Sequence, residues 1–79
     1  MEITQEGKDW IKNQIYESPY LHVTDVSDSD SLSKTLNMDS LDKIELIMHI
    51  EKHFNITITD DESNDIKTLQ DIYNLIAYK

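Results

Sequence analysis

Residues 39–54 read DSLDKIELIMHIEKHF and predict the longest helix of the chain. At about 100° per residue, one face of this helix collects four apolar side chains, Leu46, Ile47, Ile50 and Phe54. Asp39 stands directly before it, and an aspartate in that place accepts hydrogen bonds from the free N–H groups of a helix start. We therefore predict a helix over Ser40–Phe54 that buries this face against other helices.

Some apolar residues of the same helix lie outside its buried face. Leu41 and Met48 fall among charged residues, and Ile44 lies on the shoulder of the face. Single exposed apolar residues are common in soluble proteins, so the pattern alone leaves open both chance exposure and a docking patch for a partner. Lys43 falls on the core side of the first turn. We expect its aliphatic stem to lie along the core edge with the ammonium in water.

The segment before this helix predicts a first helix and a long loop. Thr4 can cap a helix that runs to Tyr16. Ser18-Pro19 ends it, because the residue before a proline avoids helical angles. Residues 20–36 are polar and turn-prone, and we expect the apolar side chains among them to pin this connection to the core: Leu21, Val23, Val26, Leu32 and Leu36.

Two capping sequences predict the remaining helices. Thr59 followed by Glu62 opens a short helix that ends before Thr68, and Thr68 followed by Asp71 opens the last one. The last helix carries an apolar stripe, Leu69, Ile72, Leu75 and Ile76. The chain is therefore predicted to be all-α, a four-helix bundle of three main helices and one short helix with a long first loop.

Length, charge and composition exclude several classes of protein. The 79 residues allow one domain, over residues 1–79. A net charge of -9, with 16 acidic residues against 7 basic ones, argues against partners such as nucleic acids or anionic membranes. The lack of cysteine excludes thiolate metal sites and cysteine nucleophiles. Nothing near the N-terminus resembles a targeting segment, so a cytoplasmic location is expected.

Catalytic and metal-binding patterns are hard to find. The chain has no glycine-rich phosphate loop and no Gly-x-Ser-x-Gly elbow. His49 and His53 are four residues apart on the main helix, a spacing that brings two imidazoles to one face. However, Ile50 stands where a zincin carries glutamate, and no third ligand is evident. We expect two exposed histidines and no metal site, with a small metalloprotein as a remote alternative.

Ser40 is the remaining candidate for chemistry. Asp39-Ser40 is an ordinary helix start, yet a serine in the first turn beside a loop presents its hydroxyl to solvent. A phosphodiester attached there would lie at the positive end of the helix dipole, near free backbone N–H groups. The position therefore suits a phosphate-linked group.

Residues 36–48, LNMDSLDKIELIM, resemble the carrier segment of bacterial acyl carrier proteins. In that family the run reads Leu-Gly-x-Asp-Ser-Leu and continues into an acidic, apolar helix. The likeness covers residues 32–77 closely and the first helix more loosely. Asn37 stands where the family usually has glycine. Asparagine tolerates left-handed backbone angles better than most residues, so we expect the turn to survive.

The resemblance implies that Ser40, flanked by Asp39 and Leu41, accepts 4'-phosphopantetheine from coenzyme A. A holo-ACP synthase or another phosphopantetheinyl transferase would attach it. The arm ends in a thiol that bears acyl chains as thioesters, so the cofactor would supply the sulfur that the chain lacks. The protein would then be a non-catalytic, monomeric carrier, with fatty acid biosynthesis as its first expected pathway. A dedicated carrier for a polyketide, peptide or other specialised pathway, and an unmodified helical adaptor, stay open as alternatives.

The resemblance also implies two sets of contact residues. Enzymes of acyl-chain synthesis and transfer with basic docking surfaces would meet the acidic and apolar outer face of the main helix, at Asp42, Glu45, Met48 and Glu51. Such docking is expected to be fast, weak and salt-sensitive. The acyl chain would be sheltered among apolar side chains between the helices, at Leu46, Ile50, Ile58 and Ile66.

Overall fold

The computed structural model describes residues 2–18 and 25–79. Four α-helices run through these residues: α1 (Gln5–Tyr16), α2 (Ser40–Phe54), α3 (Asp60–Asp65) and α4 (Leu69–Tyr78). The predicted all-α architecture with three main helices, one short helix and a long first loop is confirmed. The predictions for Pro19, Leu21 and Val23 lie outside the described residues.

Side-chain caps set the bounds of α2. The Asp39 carboxylate accepts a hydrogen bond from the Asp42 backbone N–H at 2.9 Å, and the Asp42 carboxylate accepts one from the Asp39 N–H at 3.2 Å. This reciprocal box satisfies donors that a helix start leaves free. The helix ends at Phe54, and the next residue, Asn55, has a left-handed backbone (φ 56°), which is a common way to stop a helix. The predicted range of α2 is therefore confirmed at both ends.

The last two helices begin with similar boxes. Thr59 and Glu62 exchange hydrogen bonds at the start of α3, and Thr68 and Asp71 do so at the start of α4. The Asp71 carboxylate also accepts a hydrogen bond from the Lys67 backbone N–H at 2.9 Å. That bond is the main cause that holds the pKa of Asp71 below its usual value. The two predicted capping sequences are thus confirmed.

The helices and the first loop enclose one cluster of apolar side chains. Tyr73 was not part of the apolar stripe predicted for α4, yet its side chain is 1% exposed and belongs to this cluster. Leu75 was part of the predicted stripe, but it is only half-buried, at the margin of the cluster. The buried members of the cluster are Ile11, Ile15, Val26, Leu32, Leu36, Met38, Leu46, Ile47, Ile50, Ile58, Ile66, Leu69, Ile72, Tyr73 and Ile76.

The first loop is attached to the start of α4. Leu32 donates its backbone N–H to the Lys67 carbonyl at 3.0 Å, and Gln70 donates its N–H to the Asp28 carbonyl at 2.8 Å. These bonds tie the loop to the α3–α4 junction, and they hold the segment that precedes α2 in place. The expectation that apolar side chains pin the loop to the core is confirmed for the described ones, Val26, Leu32 and Leu36.

Candidate functional site

Ser40 is the first residue of α2, and its side chain is exposed. The turn before it depends on Asn37, whose φ of 57° lies in the left-handed region, as the sequence led us to expect. After that turn, Met38 donates its backbone N–H to the Leu32 carbonyl at 2.8 Å, and its side chain is buried. The loop is therefore anchored immediately before Ser40, and it presents the hydroxyl at the surface of the bundle.

A cleft of about 210 Å³ lies beside Ser40. It is bounded by the start of α2 on one side and by the junction of α3 and α4 on the other. Apolar side chains of the core form part of its wall, and charged side chains form the rest. Its lining residues are Leu32, Ser33, Met38, Asp39, Ser40, Lys43, Ile66 and Lys67.

The Lys43 ammonium lies in this cleft and donates a hydrogen bond to the Ile66 carbonyl at 2.7 Å. Lys43 is half-buried, and the sequence did not indicate this hydrogen bond. Ile66 follows the last turn of α3, so the helix ladder leaves its carbonyl free to accept this bond. Partial burial lowers the pKa of Lys43, and the neighbouring Lys67 ammonium lowers it further. The cleft is thus lined by two lysines and a helix start, surroundings that favour an anion.

The outer face of α2 presents apolar side chains between acidic ones. Leu41 is 63% exposed and Met48 is 55% exposed. Glu45 is exposed, and Ile44, placed on the shoulder of the core face by the sequence, is also exposed. Asp42 is half-buried, and its carboxylate belongs to the capping box. This arrangement is compatible with a docking patch, and its use by a partner stays a prediction.

Glu51 has a contact inside the chain that the sequence did not indicate. Its carboxylate accepts a hydrogen bond from the Ile58 backbone N–H at 3.0 Å. The bond joins the last turns of α2 to the segment that leads into α3. Glu51 therefore holds two elements together, and its predicted docking role stays untested.

We expect Glu51→Ala to lower the free energy of unfolding by about 1–2 kcal/mol, because the Ile58 N–H would lose its acceptor. In a domain of this size that corresponds to a fall in the melting temperature of roughly 4–16 °C. Glu51→Gln keeps an acceptor oxygen and should cost less than half as much. Thermal unfolding followed by circular dichroism measures both. Equal losses in the two variants would show that the hydrogen bond is unimportant.

The side chains predicted to shelter an acyl chain are all buried, and Ile66 is the one that reaches the cleft. Ile66 also lines a second cavity, of about 310 Å³, between α3 and α4. Ile66 is therefore a lining residue of both spaces. The exposed fractions of the predicted set are 5% for Leu46, 0% for Ile50, 8% for Ile58 and 3% for Ile66.

The two histidines of α2 are exposed, and one of them contacts α1. The His53 ring stacks on Trp10 with centroids 3.8 Å apart and an interplanar angle of 10°. This contact between α1 and α2 was not anticipated from the sequence. Within residues 2–18 and 25–79, no three histidine, cysteine, aspartate or glutamate side chains converge as metal ligands. None of the helices in this part of the chain is long and apolar enough to cross a lipid bilayer.

Comparisons with known proteins agree on one family. The family model described as a phosphopantetheine attachment site matches residues 9–76, a range that includes Ser40. The acyl carrier protein of Thermosynechococcus vestitus is 36% identical over 78 residues, which cover 99% of this chain and 91% of the relative. The acyl carrier protein of a Picosynechococcus species is 38% identical over 77 residues, covering 98% and 95% of the two chains.

Solved structures show the same relationship. A candidate acyl carrier protein of Mycobacterium tuberculosis superposes with a TM-score of 0.78 at 26% identity, covering 90% of this chain and 95% of the other. One from Anaplasma phagocytophilum superposes with a TM-score of 0.81 at 28% identity, covering 99% and 92%. Fold and sequence thus agree over almost the whole chain, and the chain belongs to the acyl carrier protein family, whose members carry phosphopantetheine.

Proposed function

We propose that this chain is an acyl carrier whose prosthetic group is attached to the Ser40 hydroxyl. The observation that supports this most directly is the position of Ser40, exposed in the first turn of α2 at the mouth of a cleft. The loop before it is fixed by hydrogen bonds, so the hydroxyl is presented to an incoming enzyme at a defined place. A transferase can therefore reach it without unfolding of the bundle.

The residues around Ser40 suit a phosphodiester. Backbone N–H groups in the first turn of α2 and the helix dipole favour negative charge there, and the Lys43 ammonium lies in the same cleft. When bound, the group supplies a thiol that bears acyl chains as thioesters, which this cysteine-free chain cannot supply itself. In this proposal the chain itself is non-catalytic, since its residues hold and present the group while separate enzymes act on the chain it bears.

We further propose that it serves fatty acid biosynthesis as a single-domain, monomeric, cytoplasmic carrier. The support is the likeness of residues 32–77 to bacterial carriers of that kind, together with relatives named acyl carrier protein that match almost the whole chain. Its partners would be a phosphopantetheinyl transferase and acyl-chain synthesis and transfer enzymes. The test is to load the carrier with a short acyl group and add a fatty-acid condensing enzyme. Absence of chain extension would reject the pathway but leave the carrier role intact.

Attachment at Ser40 is tested by incubating the chain with coenzyme A, magnesium and a broad-specificity phosphopantetheinyl transferase. Intact mass should rise by one phosphopantetheine. Peptide mapping should place the added mass on the peptide that contains Ser40. An unchanged mass, or the group on a different serine, would reject the proposal.

The outer face of α2 is the proposed docking surface for enzymes. Exposed ion pairs contribute up to about 1 kcal/mol, so reversing one charge with Glu45→Lys should raise the KM of a partner enzyme for the carrier about fivefold. The effect should shrink as salt rises, because ions screen exposed charges. Met48→Ala should also raise KM, with little dependence on salt.

The matched control is Glu6→Lys, which reverses an exposed acidic residue in the first turn of α1. It changes the net charge by the same amount as Glu45→Lys. A specific docking face predicts that Glu6→Lys leaves KM almost unchanged. Equal effects of the two reversals would show that overall charge, and not this face, governs the encounter.

A further inference from the structure

Two lysines line the cleft beside Ser40. Lys43 lies one helical turn after Ser40, so the two side chains are neighbours on the surface of α2. Lys67 lines the cleft on the opposite side, in the segment between α3 and α4, and its ammonium is near enough to repel that of Lys43. The cleft therefore collects two of the seven basic residues of a chain with a net charge of -9.

These two lysines lack full charge compensation from the chain. Within residues 2–18 and 25–79, neither ammonium forms an ion pair, whereas Lys12 pairs with Asp28 and Lys79 pairs with Glu62. Asp71 lies close enough to Lys67 for the Lys67 ammonium to help lower the pKa of the Asp71 carboxyl. The carboxylate of Asp39, which also lines the cleft, accepts a hydrogen bond from the first turn of α2.

The surroundings of Lys43 disfavour the charged form of its side chain. Burial is the larger cause that lowers the pKa of its ammonium, and repulsion from Lys67 is the second. The carbonyl of Ile66 compensates part of the burial with one hydrogen bond. An ammonium has three donors, so two remain for another acceptor. The cleft therefore holds two lysines against one acidic residue, Asp39, although the chain as a whole carries more than twice as many acidic residues as basic ones.

We propose that Lys43 and Lys67 bind the phosphodiester at Ser40, and that the modification thereby ties the start of α2 to the α3–α4 junction. The inference rests on the proposed attachment at Ser40. Lys43 is the connecting residue, because it lies one turn from Ser40 and already donates to the Ile66 carbonyl. Both lysines are positioning residues for the prosthetic group. Modification should accordingly raise the melting temperature of the wild-type chain more than it raises that of a chain with neutral residues at these two positions.

The experiment compares melting temperatures before and after modification. For each variant the unmodified value is subtracted from the modified value, so that any effect of the substitution on the unmodified chain cancels. The variants are Lys43→Gln, Lys67→Gln and the double replacement. The control is Lys52→Gln, which removes an exposed positive charge near the other end of α2.

We expect the modification to raise the melting temperature of the wild-type chain about 3–6 °C more than that of the double variant, as for a pair of charge-assisted contacts near the surface. The difference should shrink with added salt. Lys52→Gln should behave as the wild-type chain does. A response to modification that is the same in the wild-type chain and in the double variant would overturn the inference.

A second readout follows the charge of Lys43 directly. The pKa of Lys43, measured by the pH dependence of its side-chain carbon shifts in NMR, should rise on modification, since a nearby anion favours the charged form of a lysine. The side-chain carbon shifts of Lys52, compared at the same pH, should be the same before and after modification. An unchanged pKa of Lys43 in the modified chain would also overturn the inference.

The two proposals fail in different ways. If intact mass shows no added phosphopantetheine, attachment at Ser40 is wrong and the inference is wrong with it. If the mass rises and peptide mapping places the group on Ser40, but the lysine variants respond like the wild-type chain, only the inference is wrong.

Discussion

The Ser40→Ala chain is expected to gain no mass when it is incubated with coenzyme A, magnesium and a phosphopantetheinyl transferase. Alanine removes the only oxygen of this side chain that could be joined to phosphorus. The fold should survive, because the Ser40 side chain is exposed and the cap of α2 is made by Asp39. Exposed substitutions of this kind usually change the free energy of unfolding by less than about 0.5 kcal/mol. Loss of attachment with an unchanged melting temperature is therefore the expected result.

Ser33→Ala is the matched control for this loss. Ser33 is also an exposed serine, and it lines the same cleft beside Ser40. It lies in the first loop, outside α2, so it lacks the N–H groups and the dipole of a helix start. The Ser33→Ala chain should accept the group at the wild-type rate. Modification of Ser40→Ala, or loss of modification in Ser33→Ala, would contradict the assignment of Ser40.

Ile50→Ala is expected to have the largest effect on stability. Ile50 is 0% exposed in the middle of α2, where it packs into the core. Removing a buried isoleucine side chain to the β-carbon costs about 2–5 kcal/mol, since the surroundings collapse only partly around the cavity. For a domain of this length, whose total stability is roughly 4–12 kcal/mol, this is a large fraction. Chemical denaturation with urea should show a markedly lower midpoint.

Ile44→Ala makes the same chemical change on the same helix. Ile44 is 51% exposed, so its truncation removes little buried surface and should cost about 0.5 kcal/mol or less. The comparison separates burial from helix propensity, because isoleucine and alanine are exchanged in α2 in both variants. Similar losses of stability in the two variants would show that Ile50 is not a core residue of the chain in solution.

Most of the fold follows from local rules that act over a few residues. The capping pairs Asp39–Asp42, Thr59–Glu62 and Thr68–Asp71 are three residues apart, so the sequence shows both partners at once. The buried face of α2 follows from helical periodicity in the same way. Tyr73 could have been found by the same rule. At about 100° per residue it lies some 40° from Leu69, whereas Leu75 lies about 120° away.

The parts that could not be predicted depend on partners distant in sequence. The Lys43 ammonium donates a hydrogen bond to the backbone carbonyl of Ile66. Because every residue has a backbone carbonyl, no pattern of side chains indicates which carbonyl accepts this bond. The Glu51 carboxylate accepts from the backbone of Ile58 for a similar reason. Ser40 itself could be selected from the sequence. The cleft beside it needs three segments to come together, and only the folded structure shows that two lysines meet there.

The attachment of the first loop to the start of α4 has a consequence for how the site forms during synthesis. The segment before Ser40 is held by Leu32, which donates to the carbonyl of Lys67, and by Asp28, which accepts from the N–H of Gln70. Because a ribosome makes the chain from its N-terminus, Lys67 and Gln70 emerge last among the residues that support Ser40. A nascent chain that already exposes α2 therefore still lacks the two bonds that attach the first loop to the start of α4. The order of synthesis thus keeps the surroundings of Ser40, the proposed attachment site, incomplete until nearly all of this sequence has left the ribosome.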